Sequence, residues 1–400
     1  MTTTTGLPSG TTIETFREAD AEQRHDLWRQ AFGATVAYDP AAPMPAAERT
    51  VAAYDGDRLL GTVVTHEYRQ SWGGQPIGCG GVSGVIMRPE ARGRGLTKAM
   101  LRESLRRMTR DGQAVAALYP TTATLYRSVG FEIVGLHETT RIDLGLVPQE
   151  PADRLDWRRV GVDDAAVRSV FASMTSRFDG WIEPDEWWWD RRGHTARLEA
   201  DTSNRFVYVG ARDGEDRAAV GYRYGSSENR LYELVAELVA GVDVDSVAAA
   251  LGFLARNGTT AGHLETVLPK PILRAAIPNL QHITTVGDWP WMLRLVDARR
   301  AVAARGWPSS VAGSVSLDIV DDTCPGNAGP HVFEIADGAA QLTPGGAGTI
   351  RVEVTDLALV YAGGSVRTLH DAGRLPGAST TDLDVLRTAC VAEPSLPFFF

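Results

Sequence analysis

The sequence of 400 residues contains only three cysteines. Cys79, Cys324 and Cys390 are far apart and odd in number, which argues against a disulfide framework and indicates reduced thiols in a cytoplasmic protein. The eight histidines never fall at the spacing of metal ligands, and no cysteine pair assists them. We therefore expect no metal site.

Long apolar runs and an excess of basic residues are also missing. No stretch approaches the roughly 18–20 apolar residues that span a bilayer, and the start "MTTTTGLPSG" lacks the pattern of a signal peptide. The net charge of −10 argues against a nucleic-acid partner and is compatible with cationic substrates. We expect neither a membrane nor a nucleic acid as a partner.

Residues 1–150 have the pattern of an α/β domain. The stretch "TIETFREADAEQRHDLWRQAFG" predicts a helix that ends at Gly33. A hairpin is predicted around Asp55-Gly56, followed by the strand "QPIGCGGVSGVIM". A glycine-rich turn then opens a helix, and "AVAALYP" predicts a buried strand.

Residues 151–288 repeat this order more loosely. Asp213-Gly214 takes the place of Asp55-Gly56, and "GHLETVLP" resembles "AVAALYP". The similar intervals indicate an internal duplication. The second copy has the acidic loop "VDVDS" where the first has the basic "ARGRG".

Residues 289–400 have an α+β pattern. "WMLRLVDARRAVAARG" predicts an amphipathic helix, and clustered strands follow before a last helix. The segment closes on "PSLPFFF", which would expose three aromatic rings unless they are buried.

The stretch "VIMRPEARGRGLTKA" is the most informative one in the chain. A strand ends at Met87, Gly93 and Gly95 follow, and a helix begins at once. Backbone N–H groups at a helix N-terminus bind a diphosphate, and glycines allow close approach. The alternative is a basic turn that only connects a strand to a helix. The Walker and Rossmann spacings are both absent.

The loop Arg92-Gly93-Arg94-Gly95-Leu96-Thr97 resembles the acetyl-CoA motif of the GNAT acetyltransferase superfamily, in which Gly or Ala stands at the last position. Tyr126, followed by Gly130-Phe131, is similar to the Tyr-x-x-x-Gly-Phe segment of the same superfamily. A tandem GNAT pair followed by an α+β segment resembles the Eis (enhanced intracellular survival) family specifically.

This resemblance implies both a fold and a reaction. The expected domains are a catalytic GNAT domain over 1–150, a degenerate GNAT-like domain over 151–288 and a sterol carrier protein-like domain over 289–400. The expected activity is N-acetylation of primary amines by acetyl-CoA, by direct transfer in a ternary complex. Aminoglycosides are the leading substrate class, and the family resemblance implies a homohexamer.

The resemblance also assigns roles to single residues. Tyr126 matches the proton donor, and the terminal carboxylate, here that of Phe400, matches the base. The positions that match acetyl-CoA contacts are Val85, Ile86, Met87, Gly93, Arg94, Gly95, Leu96, Thr97, Lys98, Thr121 and Thr122.

The chemistry is compatible with these roles. A phenol can protonate a departing thiolate if it is well placed, because their acidities differ little. An exposed terminal carboxylate is far too weak a base for an alkylammonium, but burial beside aromatic rings should raise its basicity. The alternative for "PFFF" is a hydrophobic plug.

Rival functions stay open at this point. The acceptor of the acetyl group could be a lysine, a peptide or a small polyamine. A lipid- or sterol-binding protein with the GNAT halves as scaffold is the rival from another class. Among other residues, Asp26 and Glu393 are candidates for attracting an amine, and Trp187–Trp189 are expected to pack in the core.

Overall fold

The computed structural model describes residues 8–33, 35–191, 205–228 and 231–400. Its strands are β1 (Thr11–Thr15), β2 (Thr50–Asp55), β3 (Arg58–Trp72), β4 (Gln75–Met87), β5 (Val115–Leu118), β6 (Glu132–Asp143), β7 (Asp156–Val160), β8 (Ile182–Glu183), β9 (Arg205–Arg212), β10 (Glu215–Glu228), β11 (Leu231–Gly241), β12 (Ala261–Thr266), β13 (Thr284–Leu295), β14 (Gly313–Val320), β15 (Gly329–Ala336), β16 (Ala339–Pro344) and β17 (Ile350–Glu353). Its helices are α1 (Ala21–Phe32), α2 (Leu96–Arg110), α3 (Ala123–Arg127), α4 (Ala165–Thr175), α5 (Val244–Ala255), α6 (Lys270–Ala276), α7 (Ala298–Ala304), α8 (Val354–Tyr361), α9 (Val366–Asp371) and α10 (Thr380–Ala389).

The chain forms two compact units. Unit 1 contains Met1–Gly135, Pro290–Pro394 and Phe400, and unit 2 contains Leu136–Trp289 and Ser395–Phe399. The domain boundaries expected from the sequence, near 150 and 288, stay a prediction.

The first sheet of unit 1 has the order β1-β2-β3-β4-β5 and continues with the last residues of β13. β1 to β4 are antiparallel neighbours, whereas β4 and β5 are parallel. β13 runs antiparallel to β5, with Met292 opposite Leu118 and Leu295 opposite Val115. The sheet therefore joins the first part of the chain to a segment about 170 residues further along it.

Alternation along β2 divides the side chains between the two faces of this sheet. Val51 and Ala53 belong to one apolar cluster, which also holds residues of α2 such as Leu101. Ala52 and Tyr54 belong to another cluster, against which α1 packs. Burial of both faces explains why β2 reads as an almost continuous apolar run.

The second sheet of unit 1 lies in the C-terminal part of the chain and has the order β16-β15-β14-β17. β14 and β17 are parallel, and the other neighbours are antiparallel. α10 packs against this sheet, because Gly313 leaves room for Val385. The fold class expected for this segment, α+β, is confirmed.

The described strands of unit 2 are hydrogen-bonded in the order β7-β9-β10-β11-β12, and β12 pairs with the last residues of β6. Asp213 and Gly214 both adopt positive φ in the turn between β9 and β10. β11 and β12 are parallel and separated in sequence by α5. Unit 2 thus repeats the hairpin, strand, helix and parallel strand of unit 1, which confirms the predicted GNAT-like second copy.

Two predictions of local structure were wrong. Thr11–Thr15 is the edge strand β1 and not the start of a helix, which begins only at Ala21. Trp291–Leu295 completes β13, so the helix predicted there is confined to Ala298–Ala304. In both places pairing with a neighbouring strand outweighs the helical pattern.

The three cysteines are buried and unbridged, as expected. Among the described residues, no helix is both long and apolar enough to cross a bilayer. The described part of the chain also contains no group of three His, Cys, Asp or Glu side chains suited to a metal ion.

Candidate active site

β4 carries an irregularity where the acetyl group is expected to bind. Thr62 of β3 pairs with Ile86, but Val64 pairs with Ser83, so β4 contains one residue more than β3. The bulge includes Gly84, which has a φ of +51°. The carbonyl of Gly84 accepts a 3.0 Å hydrogen bond from the Thr62 hydroxyl. A bulge of this kind leaves a peptide group outside the ladder. Gly84 and Val85 have no partner in the β3–β4 register.

The parallel strands β4 and β5 pair over only three residues. Their last pair is Gly81 with Ala117, after which β4 continues to Met87 and β5 ends at Leu118. Tyr119 and Pro120 follow directly, and Thr121 and Thr122 precede α3. The separation of the two strands opens a slot beside Val85, Ile86 and Met87.

The loop before α2 has the geometry of an anion site. Gly93 and Gly95 adopt φ values of +74° and +79°, which residues other than glycine rarely adopt. No described atom lies within 4 Å of the position that a Cβ would occupy at either glycine. The N-cap residue of α2 is Gly95, which has no side chain to hydrogen-bond the free N–H groups of this helix end. Its N–H groups therefore stay available for a bound diphosphate.

Basic side chains surround the same loop. Arg92 and Arg94 are exposed and Lys98 is half-buried. Arg92 donates a 3.3 Å hydrogen bond from Nε to the carbonyl of Met87, which joins the loop to the end of β4. Leu96, the first residue of α2, is buried in the apolar core and so fixes the start of the helix. The predicted diphosphate residues thus form one continuous surface.

Tyr126 lies in α3, directly after the Thr121-Thr122 segment, and it is buried. Burial raises the pKa of its phenol, and a side-chain hydrogen bond with Thr121 acts in the opposite direction. The hydroxyl therefore keeps its proton through the neutral range, as a proton donor requires.

Gly130 of the Tyr-x-x-x-Gly-Phe segment is required by a buried cation. Its φ is +92°, and a Cβ there would lie 2.6 Å from Cζ of Arg294. Arg294 is fully buried and donates two 2.6 Å hydrogen bonds to the carboxylate of Asp321. Asp321 also accepts from the backbone N–H of Cys324 and from the amide of Asn327. This ion pair supports the turn that ends α3.

The ring of Phe400 lies where β4 and β5 separate. Its centroid is 5.3 Å from that of Tyr68 and 5.7 Å from that of Tyr119. Its Cδ2 atom lies 3.2 Å from the position of a Cβ on Gly81, which is the last β4 residue paired with β5. The chain end therefore lies in unit 1, beside Gly81 and Tyr119, at the point where the slot between β4 and β5 begins.

Four residues near the slot were not identified from the sequence. Tyr68 stacks on His66 at 5.4 Å, and His66 Nε2 is 2.7 Å from the hydroxyl of Ser83. Tyr119 completes the aromatic wall, and burial raises its pKa well above the ordinary value. Gly81 was the one sequence signal for this cluster, because a glycine inside a strand indicates close packing. Any Cβ at position 81 would lie 2.3 Å from the Tyr68 ring.

Comparisons with known proteins agree with this geometry. Residues 12–134 match the model of the acetyltransferase (GNAT) domain, and residues 298–399 match that of the sterol carrier protein domain. An N-acetyltransferase of Streptomyces griseus, described as uncharacterised, is 28% identical over 85% of this chain and 87% of its own. A second one, from Streptomyces avermitilis, is 25% identical over 96% of this chain and 93% of its own.

Solved structures show the same fold. A GCN5-related N-acetyltransferase from Anabaena variabilis superposes with a TM-score of 0.87 at 21% identity, over 98% of this chain and 100% of its own. Eis1 from Mycobacterium abscessus gives a TM-score of 0.81 at 19% identity, over 97% of this chain and 100% of its own. The chain is therefore an acetyltransferase that contains a GNAT domain over residues 12–134 and a sterol carrier protein domain over residues 298–399, and it shares its fold with Eis1.

Proposed function

We propose that this acetyltransferase transfers the acetyl group of acetyl-CoA directly to a primary amine in a ternary complex, with aminoglycosides as the leading acceptor class. Tyr126 is the proton donor and the Phe400 carboxylate is the base. The observation that carries the proposal is the position of the chain end beside Gly81 and Tyr119, in the same unit as the diphosphate loop.

GNAT acetyltransferases use acetyl-CoA, and the residues of this chain fit it. The paired positive φ values of Gly93 and Gly95 and the uncapped start of α2 support a bound diphosphate. Bound here, acetyl-CoA supplies an activated thioester. Val85, Ile86 and Met87 would hold its arm along β4, and Thr121 and Thr122 would line the facing side.

The β4 bulge supplies a polar group for catalysis. Arg88 donates a 2.8 Å backbone hydrogen bond to the carbonyl of Leu60, so Met87 and Gly61 form a non-hydrogen-bonded pair and the Met87 N–H points away from β3. Val85 has no partner in the β3–β4 register. The peptide N–H groups of Met87 and Val85 are therefore both candidates for the donor to the thioester oxygen. A fixed donor of this kind stabilises charge that develops on the oxygen during transfer.

Two groups of the chain move the protons of the reaction. The Phe400 carboxylate accepts a proton from the incoming ammonium, which must be neutral to attack the thioester. Tyr126 gives its proton to the departing thiolate, since burial keeps the phenol protonated. The rings of Tyr68 and Tyr119 pack against the ring of Phe400, which places apolar groups next to the chain end.

The acidic character of the chain supports a polycationic acceptor. The net charge is −10, and Asp26 on α1 and Glu393 are both exposed. These carboxylates attract amines without fixing their identity. A homohexamer is proposed alongside, and light scattering would contradict it by giving the monomer mass of 43.2 kDa.

Initial-rate kinetics and mass spectrometry test this function. Varying acetyl-CoA and amine together should give intersecting double-reciprocal lines, and acetyl-CoA alone should leave no acetyl group on the protein. Parallel lines with a covalent acetyl-enzyme would overturn direct transfer. A panel of aminoglycosides, polyamines and lysine peptides, with Tyr126→Phe as control, identifies the acceptor class. Acetylation confined to lysine peptides would overturn the aminoglycoside assignment.

A further inference from the structure

Unit 2 contains a second slot that corresponds to the acetyl-CoA slot of unit 1. The last parallel pair of β11 and β12 is Ala236 with Thr266, which is followed by Val267-Leu268-Pro269. The last parallel pair of β4 and β5 is Gly81 with Ala117, which is followed by Leu118-Tyr119-Pro120. Each copy thus separates its two strands three residues before a proline.

β11 also carries a bulge at this point. Tyr222 of β10 pairs with Ala236 and Gly221 pairs with Leu238, so Glu237 is the extra residue. The bulge lies directly after the last parallel pair, as the bulge of β4 lies shortly after Gly81. The second copy has therefore kept the strand geometry of a slot.

The C-terminal segment of the chain packs at the slot of unit 2. Phe398 lines a small cavity together with Leu238, Val267 and Leu268, the residues that follow the last parallel pair on the two strands. The centroid of its ring is 4.6 Å from that of Trp188 and 5.9 Å from that of Phe171. Only 8% of Phe398 is exposed, so the residue is buried.

Backbone contacts hold the same segment as a bound peptide. Ser395 donates a 3.0 Å hydrogen bond to the carbonyl of Asp179, and its hydroxyl accepts a 2.9 Å bond from the indole of Trp181. His137 Nδ1 lies 2.7 Å from the carbonyl oxygen of Leu396. Both polar backbone and apolar side chain are thus recognised, as in a peptide-binding site.

The start of α5 is closed to a diphosphate in the same copy. Asp243 caps this helix and accepts 2.7 Å and 2.6 Å hydrogen bonds from the N–H and hydroxyl of Ser246. Its other carboxylate oxygen accepts a hydrogen bond from Arg217. A fixed carboxylate therefore occupies the place where the first copy exposes N–H groups.

We propose that the slot of the second copy is a binding site for the chain's own C-terminal peptide, with Phe398 as its anchor. Phe398 is a positioning residue for the Phe400 carboxylate, because only Phe399 separates the two residues in the chain. The catalytic part of this inference rests on the proposed role of that carboxylate. The binding part stands on the contacts in unit 2 alone.

Limited digestion with carboxypeptidase A tests the binding part without using activity. This enzyme releases C-terminal aromatic residues only from a free chain end, and mass spectrometry of the full-length protein follows the loss of phenylalanine. Phe398→Ala should raise the release rate roughly tenfold or more, since a buried ring is lost. Phe399→Ala is the matched control, because 48% of Phe399 is exposed. Equal release rates in wild type, Phe398→Ala and Phe399→Ala would overturn the binding site.

The receptor side of the slot gives an independent variant. Trp188→Leu leaves the peptide unchanged and removes the indole that faces Phe398, so it should also increase release. Phe398→Leu keeps an apolar anchor and should restore resistance relative to Phe398→Ala. If Phe398→Ala is poorly folded, Phe398→Leu and Trp188→Leu still test the proposal. Release of phenylalanine at the same rate from both variants would show that Phe398 is not the anchor.

Steady-state kinetics separates this inference from the proposed function. If both are right, Phe398→Ala lowers kcat with the KM for acetyl-CoA unchanged, and Phe398→Leu restores part of the loss. Faster release with unchanged kcat would keep the binding site and overturn the terminal base. Unchanged release with an unchanged kcat would overturn the binding site alone.

Discussion

The two copies of the GNAT fold differ most where a strand passes into a helix. In unit 1, the N-cap of α2 is Gly95 at a φ of +79°, which has no side chain to bond the N–H groups of the first turn. In unit 2, Asp243 begins α5 in an extended conformation, and its carboxylate satisfies the N–H of Ser246. One residue type therefore decides whether the same junction recruits an anion from solution or supplies its own.

The slots of the two copies differ in the same sense. Each ends at the separation of two parallel strands, and each receives one phenylalanine of "PFFF". Phe400 lies at the slot of unit 1 and Phe398 in that of unit 2. Phe399, between them, contacts the rings of His137 and Trp289 and remains half exposed. On the two proposals above, the duplicated slot binds acetyl-CoA in the first copy and the chain's own C-terminal peptide in the second.

The largest effect is expected from placing an acid at the N-cap of the first copy. Gly95→Glu brings a negative charge against the diphosphate. The repulsion between two like charges about 4 Å apart near a protein surface should weaken CoA binding on the order of a thousandfold. Isothermal titration calorimetry measures this loss. Gly95→Ala separates backbone strain from charge, and Asp243→Glu makes the matched change in the second copy. Equal CoA affinity in wild type and Gly95→Glu would remove the loop assignment.

Extending the chain by one glycine should be the next largest change. The extra residue moves the carboxylate but keeps all three rings, and displacement of a catalytic group by an ångström costs about a hundredfold in turnover. The kcat for amine acetylation measures the effect, with CoA affinity as the control for folding. A native kcat in the extended protein would make "PFFF" a plug.

Tyr126→Phe should reduce kcat by roughly ten- to a hundredfold, at the low end for loss of a general acid. The change removes one hydroxyl and little volume, so CoA affinity and thermal stability should be retained. Because burial raises the pKa of Tyr126 above its ordinary 10.0, the phenol stays protonated below pH 10. Deprotonation of Tyr126 should therefore not limit the rate in that range. A kcat profile from neutral to alkaline pH checks this sign. A wild-type rate in the mutant would make Tyr126 a packing residue.

The smallest effect is expected in the second copy. Asp243→Ala removes the cap of α5 and should lower the free energy of unfolding by about 1 kcal/mol. It should leave the stoichiometry at one CoA per chain, because the slot behind it is occupied by Phe398. Chemical denaturation and calorimetry measure the two quantities. A second CoA bound by wild type or by Asp243→Ala would contradict the account of this copy.

The local part of the first copy could be predicted from the sequence. The hairpin at Asp55-Gly56, the strand "AVAALYP" and the loop at Gly93 and Gly95 all depend on short-range turn chemistry and periodicity. The strand β1 and the end of β13 could not be predicted, because each is fixed by pairing with a distant segment.

Long-range contacts also hid part of the candidate site. Gly130 was recognised as a motif residue from the sequence. The reason for a glycine there is the buried ion pair of Arg294 and Asp321, which lies far from Gly130 in sequence. Tyr68 and Tyr119 read as ordinary strand residues until Phe400 is placed between them. No local signal distinguishes Phe398 from its two neighbours, although the structure buries it in a different unit from Phe400.

The pairing of β5 with β13 has a consequence for biosynthesis. Leu118 and Met292 are neighbours in the sheet but about 170 residues apart in the chain. At about 5–20 residues per second, the ribosome needs roughly 10 to 35 s to deliver β13 after β5 has been made. During that interval the nascent chain presents a buried-type strand, Val115–Leu118, with one open edge. Nascent chains that stop short of β13 are therefore expected to be targets for chaperones and for aggregation, even though their whole diphosphate loop has already been synthesised.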